Sequence, residues 1–174
     1  MPGLRFEGDR GRRRGTLTAS MSGPISTLVC SNCGTPNRIG PSAHGAPHCG
    51  KCSKPLAWVV DANESSFEVE ARAQPTVVID LWAPWCGPCR FVSPILDDLA
   101  HQYAGRLKVI KVNVDENPGL ARRFEALSIP TLAVLRDGAL VNRVVGALPK
   151  EQLEAQIRPY LKPPKATTDA RTTG

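Results

Sequence analysis

The chain has 174 residues, 41% of them apolar, and a formal net charge of +6, enough for one packed domain and some extra material. No run of about 18 uncharged apolar residues occurs, which argues against a membrane-spanning helix. The charge is no nucleic-acid footprint: residues 1–20 carry five Arg against Glu7 and Asp9, residues 162–174 carry Lys162, Lys165 and Arg171 against Asp169, and only +1 remains between these ends.

Residues 1–21 read as a disordered basic tail. They contain no apolar stretch of seven or more residues that would make a secretory signal. The arginines fit a transit peptide, but the glycines and acidic residues spoil an amphipathic helix. Met21 follows directly, so a start codon placed too early is preferred. With no export signal, a cytoplasmic protein is expected.

Residues 22–58 are rich in Gly, Pro, Ser and Asn, hold few core-forming side chains, and need an external staple. Cys30/Cys33 and Cys49/Cys52 supply one, because two C-x-x-C pairs fifteen residues apart match a four-thiolate zinc site. Gly34 and Gly50 suit the tight turns. Arg38, Lys51 and Lys54 either offset the thiolate charge or are solvated. Two disulfides are the disfavoured alternative in a chain without an export signal. His44 and His48 are read as loop residues rather than ligands.

The next segment has a different frame. "TVVIDLW" (76–82) is a β-branched, apolar run with the pattern of a strand covered on both faces. Cys86 and Cys89 follow it, and after them Phe91, Ile95, Leu96, Leu99 and Tyr103 recur at helical spacing. Cys86 therefore falls at a strand-to-helix junction. As a second metal site this pair lacks ligands, His101 alone being a weak candidate. A strand at 107–114, a helix at 118–127, a hairpin at 131–145 turning at Asp137-Gly138, and a helix at 150–161 complete an α/β sandwich with a mixed sheet. Residues 163–174 read as a disordered, Pro-containing polar tail.

Residues 59–162 resemble the thioredoxin family. "WCGPC" is its redox signature, and Asp80, Trp82, Pro94, Lys111, the "SIPT" around Pro130, Gly138 and Gly146 have family counterparts in order. The four-cysteine segment resembles the small zinc-ribbon-like module of the zinc-containing thioredoxin 2 subfamily. The resemblance implies a thioredoxin fold, a mixed sheet flanked by helices, and a protein-disulfide reductase. Its electrons would come from NADPH through thioredoxin reductase, with one Zn²⁺ at Cys30, Cys33, Cys49 and Cys52 and no bound organic cofactor. Disulfide-containing proteins are the expected substrates and a monomer the expected state, with neither membrane nor nucleic acid as a partner.

The chemistry of the residues fits that resemblance. A thiol attacks a disulfide as thiolate, and a helix N-terminus stabilises such an anion. Cys86 is thus expected to be the nucleophile and Cys89 the resolving thiol. Gly87 permits the turn and Pro88 starts the helix. By family position, Asp80 lies buried beneath the pair and accepts the proton of Cys89. Lys111 reaches toward Asp80, Pro94 kinks the helix, and Trp82 packs below. Pro130 follows a cis peptide, and Trp85, Ile129, Gly146 and Ala147 line an apolar substrate surface around it. Two other functions compete: a redox-sensing zinc switch whose oxidised thiols release metal, and a nucleic-acid-binding zinc ribbon with a degenerate passenger domain.

Overall fold

The computed structural model describes residues 25–40 and 45–163. His44 and nearly all of the two expected tails lie outside the described residues. In chain order the elements are β1 (Ser26–Val29), β2 (Pro36–Ile39), β3 (Trp58–Asp61), α1 (Phe67–Ala71), β4 (Thr76–Trp82), α2 (Cys89–Gln102), β5 (Leu107–Asn113), α3 (Pro118–Arg123), β6 (Thr131–Arg136), β7 (Ala139–Val145) and α4 (Lys150–Ile157). A single 3₁₀ turn, Arg158–Tyr160, closes the described chain.

β1 and β2 form an antiparallel ribbon, and the other five strands form one sheet in the order β3-β5-β4-β6-β7. β3 and β4 both run parallel to β5, while β6 is antiparallel to β4 and to β7. The mixed sheet expected from the sequence is thus present. β4 sits at its centre because its apolar run can be covered on both sides, and Thr76 through Leu81 are all buried.

The period-2 alternation of the strands separates two cores. Val77, Ile79 and Leu81 face Ile110, Val112, Phe67, Leu120 and Phe124. Val78, Val109, Leu132 and Val134 face the other way, against Val92, Leu96 and Leu99 of α2 and Leu153 and Ile157 of α4. Each fully buried side chain of this kind contributes about 1.5–3 kcal/mol. The burial also fixes how α2 is rolled. Val92, Leu96, Leu99 and Ala100 point inward, Ile95 and Tyr103 are half-buried, and Phe91, expected on the apolar stripe, is 74% exposed.

Four elements differ from expectation for local reasons. β3 and α1 were not anticipated: four edge-strand residues and a five-residue helix carry too little periodicity to read. α3 stops at Arg123, and Glu125 adopts φ +51°, which turns the chain before Leu127. The last helix tightens at Pro159, whose missing N–H removes one α-helical bond. The hairpin is as expected, with Asp137 and Gly138 both at positive φ (53° and 80°), as a type I′ turn requires.

The four-cysteine segment joins the sheet through Leu28, Cys30, Cys49, Leu56 and Trp58, which belong to the same buried cluster as Phe67 and Val77. At this joint lies a feature that strand patterning gave no hint of. Lys108, fully buried, pairs with the Glu70 carboxylate, donates to the Glu70 carbonyl (2.8 Å) and sits 4.0 Å from the centroid of the Trp58 ring. Burial pushes the Lys108 pKa down, against the opposing pull of Glu70.

Candidate active site and metal centre

The loop between β4 and α2 carries the first cysteine pair. Cys86 and Cys89 form a disulfide with Cα atoms 5.4 Å apart, and both are nearly buried, 3% and 4% exposed. The Cys86 N–H donates to Ala83 O (3.1 Å), which folds the loop back over the strand end. Pro88 occupies the N-cap of α2 with φ −58°, already helical, so the backbone N–H of Cys89 is left free to donate to Cys86 Sγ at 3.2 Å. A donor at a helix start, aimed at sulfur, is the arrangement that favours thiolate over thiol.

The surface beside the pair contains the residues read from the sequence. The Ile129–Pro130 peptide is cis. Pro130 O accepts a hydrogen bond from the N–H of Gly146 (2.8 Å), and Gly146 has φ +94°, a conformation glycine adopts freely. Ile129 packs with Trp82 and Val114 around Ala83, Cys86 and Cys89. Ala147 is exposed nearby in sequence, and Gly87 and Pro88 are exposed at the rim. Trp85 is 69% exposed, its indole Nε1 donating to Asp115 Oδ2 (2.9 Å). Trp82 is half-buried, its Nε1 without a partner.

Two exposed apolar side chains escaped sequence reading: Phe91 in the first turn of α2, and Leu127, 98% exposed two residues before Ile129. Leu127 was hidden by the assumption that helix 118–127 runs to its end. Phe91 was hidden because its spacing from Ile95 placed it on the apolar stripe, whose first inward residue is Val92.

Beneath the loop, Asp80 is 1% exposed and its Oδ1 has no hydrogen-bond partner. Burial raises its pKa to about 7, an effect that the Lys111 charge opposes and the Asp97 carboxylate reinforces. Lys111 is the register partner of Asp80 across the β4–β5 pair. Its ammonium, however, donates to Ser93 Oγ (2.7 Å) and pairs with Asp97 Oδ1 (2.8 Å), both on α2, rather than bonding to Asp80. Next to it a groove of about 390 Å³ is lined by Asp61, Trp82, Cys89, Arg90, Ser93 and Lys111.

The second site lies at the other end of the sheet. Trp58, where the four-cysteine segment meets β3, pairs with Lys108, which pairs with Val77 near the start of β4. Cys86 follows the opposite end of β4, beyond Trp82. The five residue steps from Val77 to Trp82 alone span about 16 Å.

Each pair of this segment sits in a matching turn. Gly34 N–H donates to Cys30 O (2.8 Å) and Ser53 N–H to Cys49 O (2.9 Å), and both turning residues have positive φ, 69° and 59°. The left-handed residue of the second turn is therefore Ser53, while Gly50 donates its N–H to Asn37 Oδ1 (2.9 Å). The four sulfurs converge within 4.8 Å of one another, with Cys30–Cys52 and Cys33–Cys49 contacts of 3.6 Å. Sulfurs at tetrahedral corners 2.3 Å from a zinc ion would stand about 3.8 Å apart, so the cluster fits such an ion. Backbone N–H groups of Cys52 and Lys51 lower the Cys49 pKa to about 6, and Asn37 Nδ2 lies 3.7 Å from its sulfur. Burial pushes Cys30 up to about 11. Four cysteines this close can hold a metal ion. His48 instead contacts Ala46 O through Nδ1 (2.9 Å) and takes no part.

Comparison with known proteins agrees with this geometry. The thioredoxin family profile matches residues 58–159. The chain belongs to the thioredoxin family. Thioredoxin 1 of Nostoc sp. is 46% identical over 107 residues, 61% of this chain and 100% of that protein. Thioredoxin 1 of Synechococcus elongatus is 51% identical over 105 residues, 60% of this chain and 96% of that one. The chloroplastic M-type thioredoxin of Spinacia oleracea is 40% identical over 114 residues, and this chain spans 65% of itself and 63% of that relative in the match. The protein is therefore a thioredoxin-type disulfide oxidoreductase with a cysteine cluster, N-terminal to the thioredoxin domain, that fits a zinc-ribbon-like module.

Proposed function

We propose that this thioredoxin works as a protein-disulfide reductase through Cys86 and Cys89, and that Zn²⁺ at Cys30, Cys33, Cys49 and Cys52 staples its N-terminal module. The observation that carries the redox reading is the Cys89 N–H aimed at Cys86 Sγ from the start of α2. In the reduced protein Cys86 thiolate attacks one sulfur of a substrate disulfide, forming a Cys86–substrate disulfide and expelling the other sulfur as thiolate. Cys89 then gives up its proton and attacks Cys86 Sγ. The Cys86–Cys89 bond forms, the substrate bond breaks, and the second substrate thiol leaves, so two electrons have passed to the substrate.

Asp80 is the acceptor for the proton of Cys89, directly or through one water. Its unpartnered Oδ1 and its pKa near 7 support that role, because such a base takes a proton from a thiol and returns it to water at neutral pH. The cis-Pro130 turn with Gly146 and Ala147, flanked by Ile129, Trp85 and the rim residues Gly87 and Pro88, receives the extended substrate chain. Thioredoxin reductase, drawing on NADPH, restores the dithiol.

At the cluster, a bound zinc supplies a crosslink to a segment with little core of its own. Cysteines free of disulfides at these four positions fit a reducing compartment, and the protein acts as a cytoplasmic monomer.

An insulin-reduction assay tests the proposal: with reductase and NADPH, catalytic turnover is expected. Stoichiometric thiol loss without turnover would reject the reductase in favour of a redox switch.

A further inference from the structure

We infer that Ser93 and Asp97 are positioning residues that hold the Lys111 ammonium on the α2 side of the groove, keeping it from bonding Asp80 directly. This rests on the reading of Asp80 as the acceptor of the Cys89 proton. Lys111 and Asp80 are register partners of opposite charge on adjacent parallel strands, close enough for an ion pair to form. Here the lysine has two other anchors, at 2.7 and 2.8 Å, and the buried Asp80 Oδ1 has none. A direct ion pair would hold Asp80 ionised well below neutrality and make it a weak base. With its ammonium anchored on α2, Lys111 stays near enough to lower the Asp80 pKa without capturing the carboxylate.

The surroundings leave few other controls. Leu132 of β6, the partner of Asp80 on the opposite side of β4, is apolar. The charged or titratable groups at the groove are Asp61 of β3, Lys111 of β5 and Cys89 and Arg90 of α2, with Asp97 one helical turn beyond Ser93. Ser93 and Lys111 line that groove together with Cys89, so the anchor stands where the resolving thiol meets solvent.

The test follows the resolution step by stopped flow across pH, alongside a carboxyl-carbon NMR titration of Asp80. Ser93→Ala frees one anchor, and Asp97→Asn frees the other while removing a carboxylate that raises the Asp80 pKa. Both are expected to move the Asp80 midpoint to lower pH, Asp97→Asn by on the order of one pH unit and Ser93→Ala by less. Ser93→Thr, which keeps the hydroxyl, is expected to restore the wild-type midpoint, and Lys111→Met to move it the opposite way. Midpoints in Ser93→Ala and Asp97→Asn that match the wild type overturn the inference, even if Lys111→Met still shifts and the role of Asp80 stands. A resolution profile unchanged by Asp80→Asn removes the acceptor role itself, and the inference with it.

Discussion

The same motif, C-x-x-C, occurs three times in this chain and is used in two ways. Cys86 and Cys89 bond to each other at the mouth of a helix, with Gly-Pro between them and a helical N–H directed at the first sulfur. Cys30/Cys33 and Cys49/Cys52 sit in two turns whose backbone bends each pair's sulfurs toward the other pair, so the nearest sulfur neighbours are Cys30–Cys52 and Cys33–Cys49. The spacing is shared, and the backbone after the second cysteine decides. A helix continuing from Cys89 encloses the pair, leaving both sulfurs nearly buried. A left-handed residue after Cys33 and after Cys52 closes each turn and leaves the sulfurs facing a common centre.

The largest effect expected is on the redox pair. Cys86→Ser should abolish turnover and trap almost no substrate, whereas Cys89→Ser should accumulate mixed disulfides visible on non-reducing gels, since attack proceeds and resolution does not. Equal trapping by both variants would erase the asymmetry between the two sulfurs.

A second variant tests whether the two regions share one core. Lys108→Ala strands the Glu70 carboxylate beneath Trp58 and should cost about 3–5 kcal/mol. Thermal unfolding followed by tryptophan fluorescence and by metal release should move down together. Release of metal at an unchanged temperature would mean that the module unfolds by itself.

Asp80→Asn sharpens the contrast between a functional buried charge and a structural one. The folded-state pKa near 7 lies above the ordinary carboxylate value of 3.8. Below about pH 3 Asp80 is protonated in both states and has no effect. Above pH 7 its ionised form is fully penalised in the fold. The variant should therefore gain on the order of 4 kcal/mol by pH 8 and almost nothing by pH 3, while resolution slows. Denaturant titrations at the two pH values check the sign.

The smallest effect is expected at the exposed rim. Trp85→Ala should change stability by less than about 0.5 kcal/mol and act mainly on KM for a protein disulfide. A comparable loss with a small disulfide substrate would argue against a contact with the substrate chain.

Much of this was legible in the sequence where local chemistry is unambiguous. The run 76–82 carries the pattern of an enclosed strand, Asp137-Gly138 marks a hairpin turn, and two C-x-x-C pairs fifteen residues apart match the spacing of a four-thiolate site, whose sulfurs the fold brings close enough to hold a metal ion. What escaped depends on rotation and on partners distant in sequence. Phe91 faces solvent because Val92, one residue on, meets the sheet. Nothing in the strand pattern singles out Lys108, and only the fold brings Glu70 and Trp58 to it. The bonds of Lys111 to Ser93 and Asp97, instead of to Asp80, are likewise set by how α2 lies on the sheet.

The separation of the two cysteine environments is tested most directly by loading the reduced protein with zinc, adding one equivalent of a disulfide substrate, and measuring disulfide positions by mass spectrometry together with bound metal. The expected result is one zinc per chain before and after, with Cys86–Cys89 as the only bond formed. Zinc release, or a disulfide among Cys30, Cys33, Cys49 and Cys52 at that first equivalent, would contradict it.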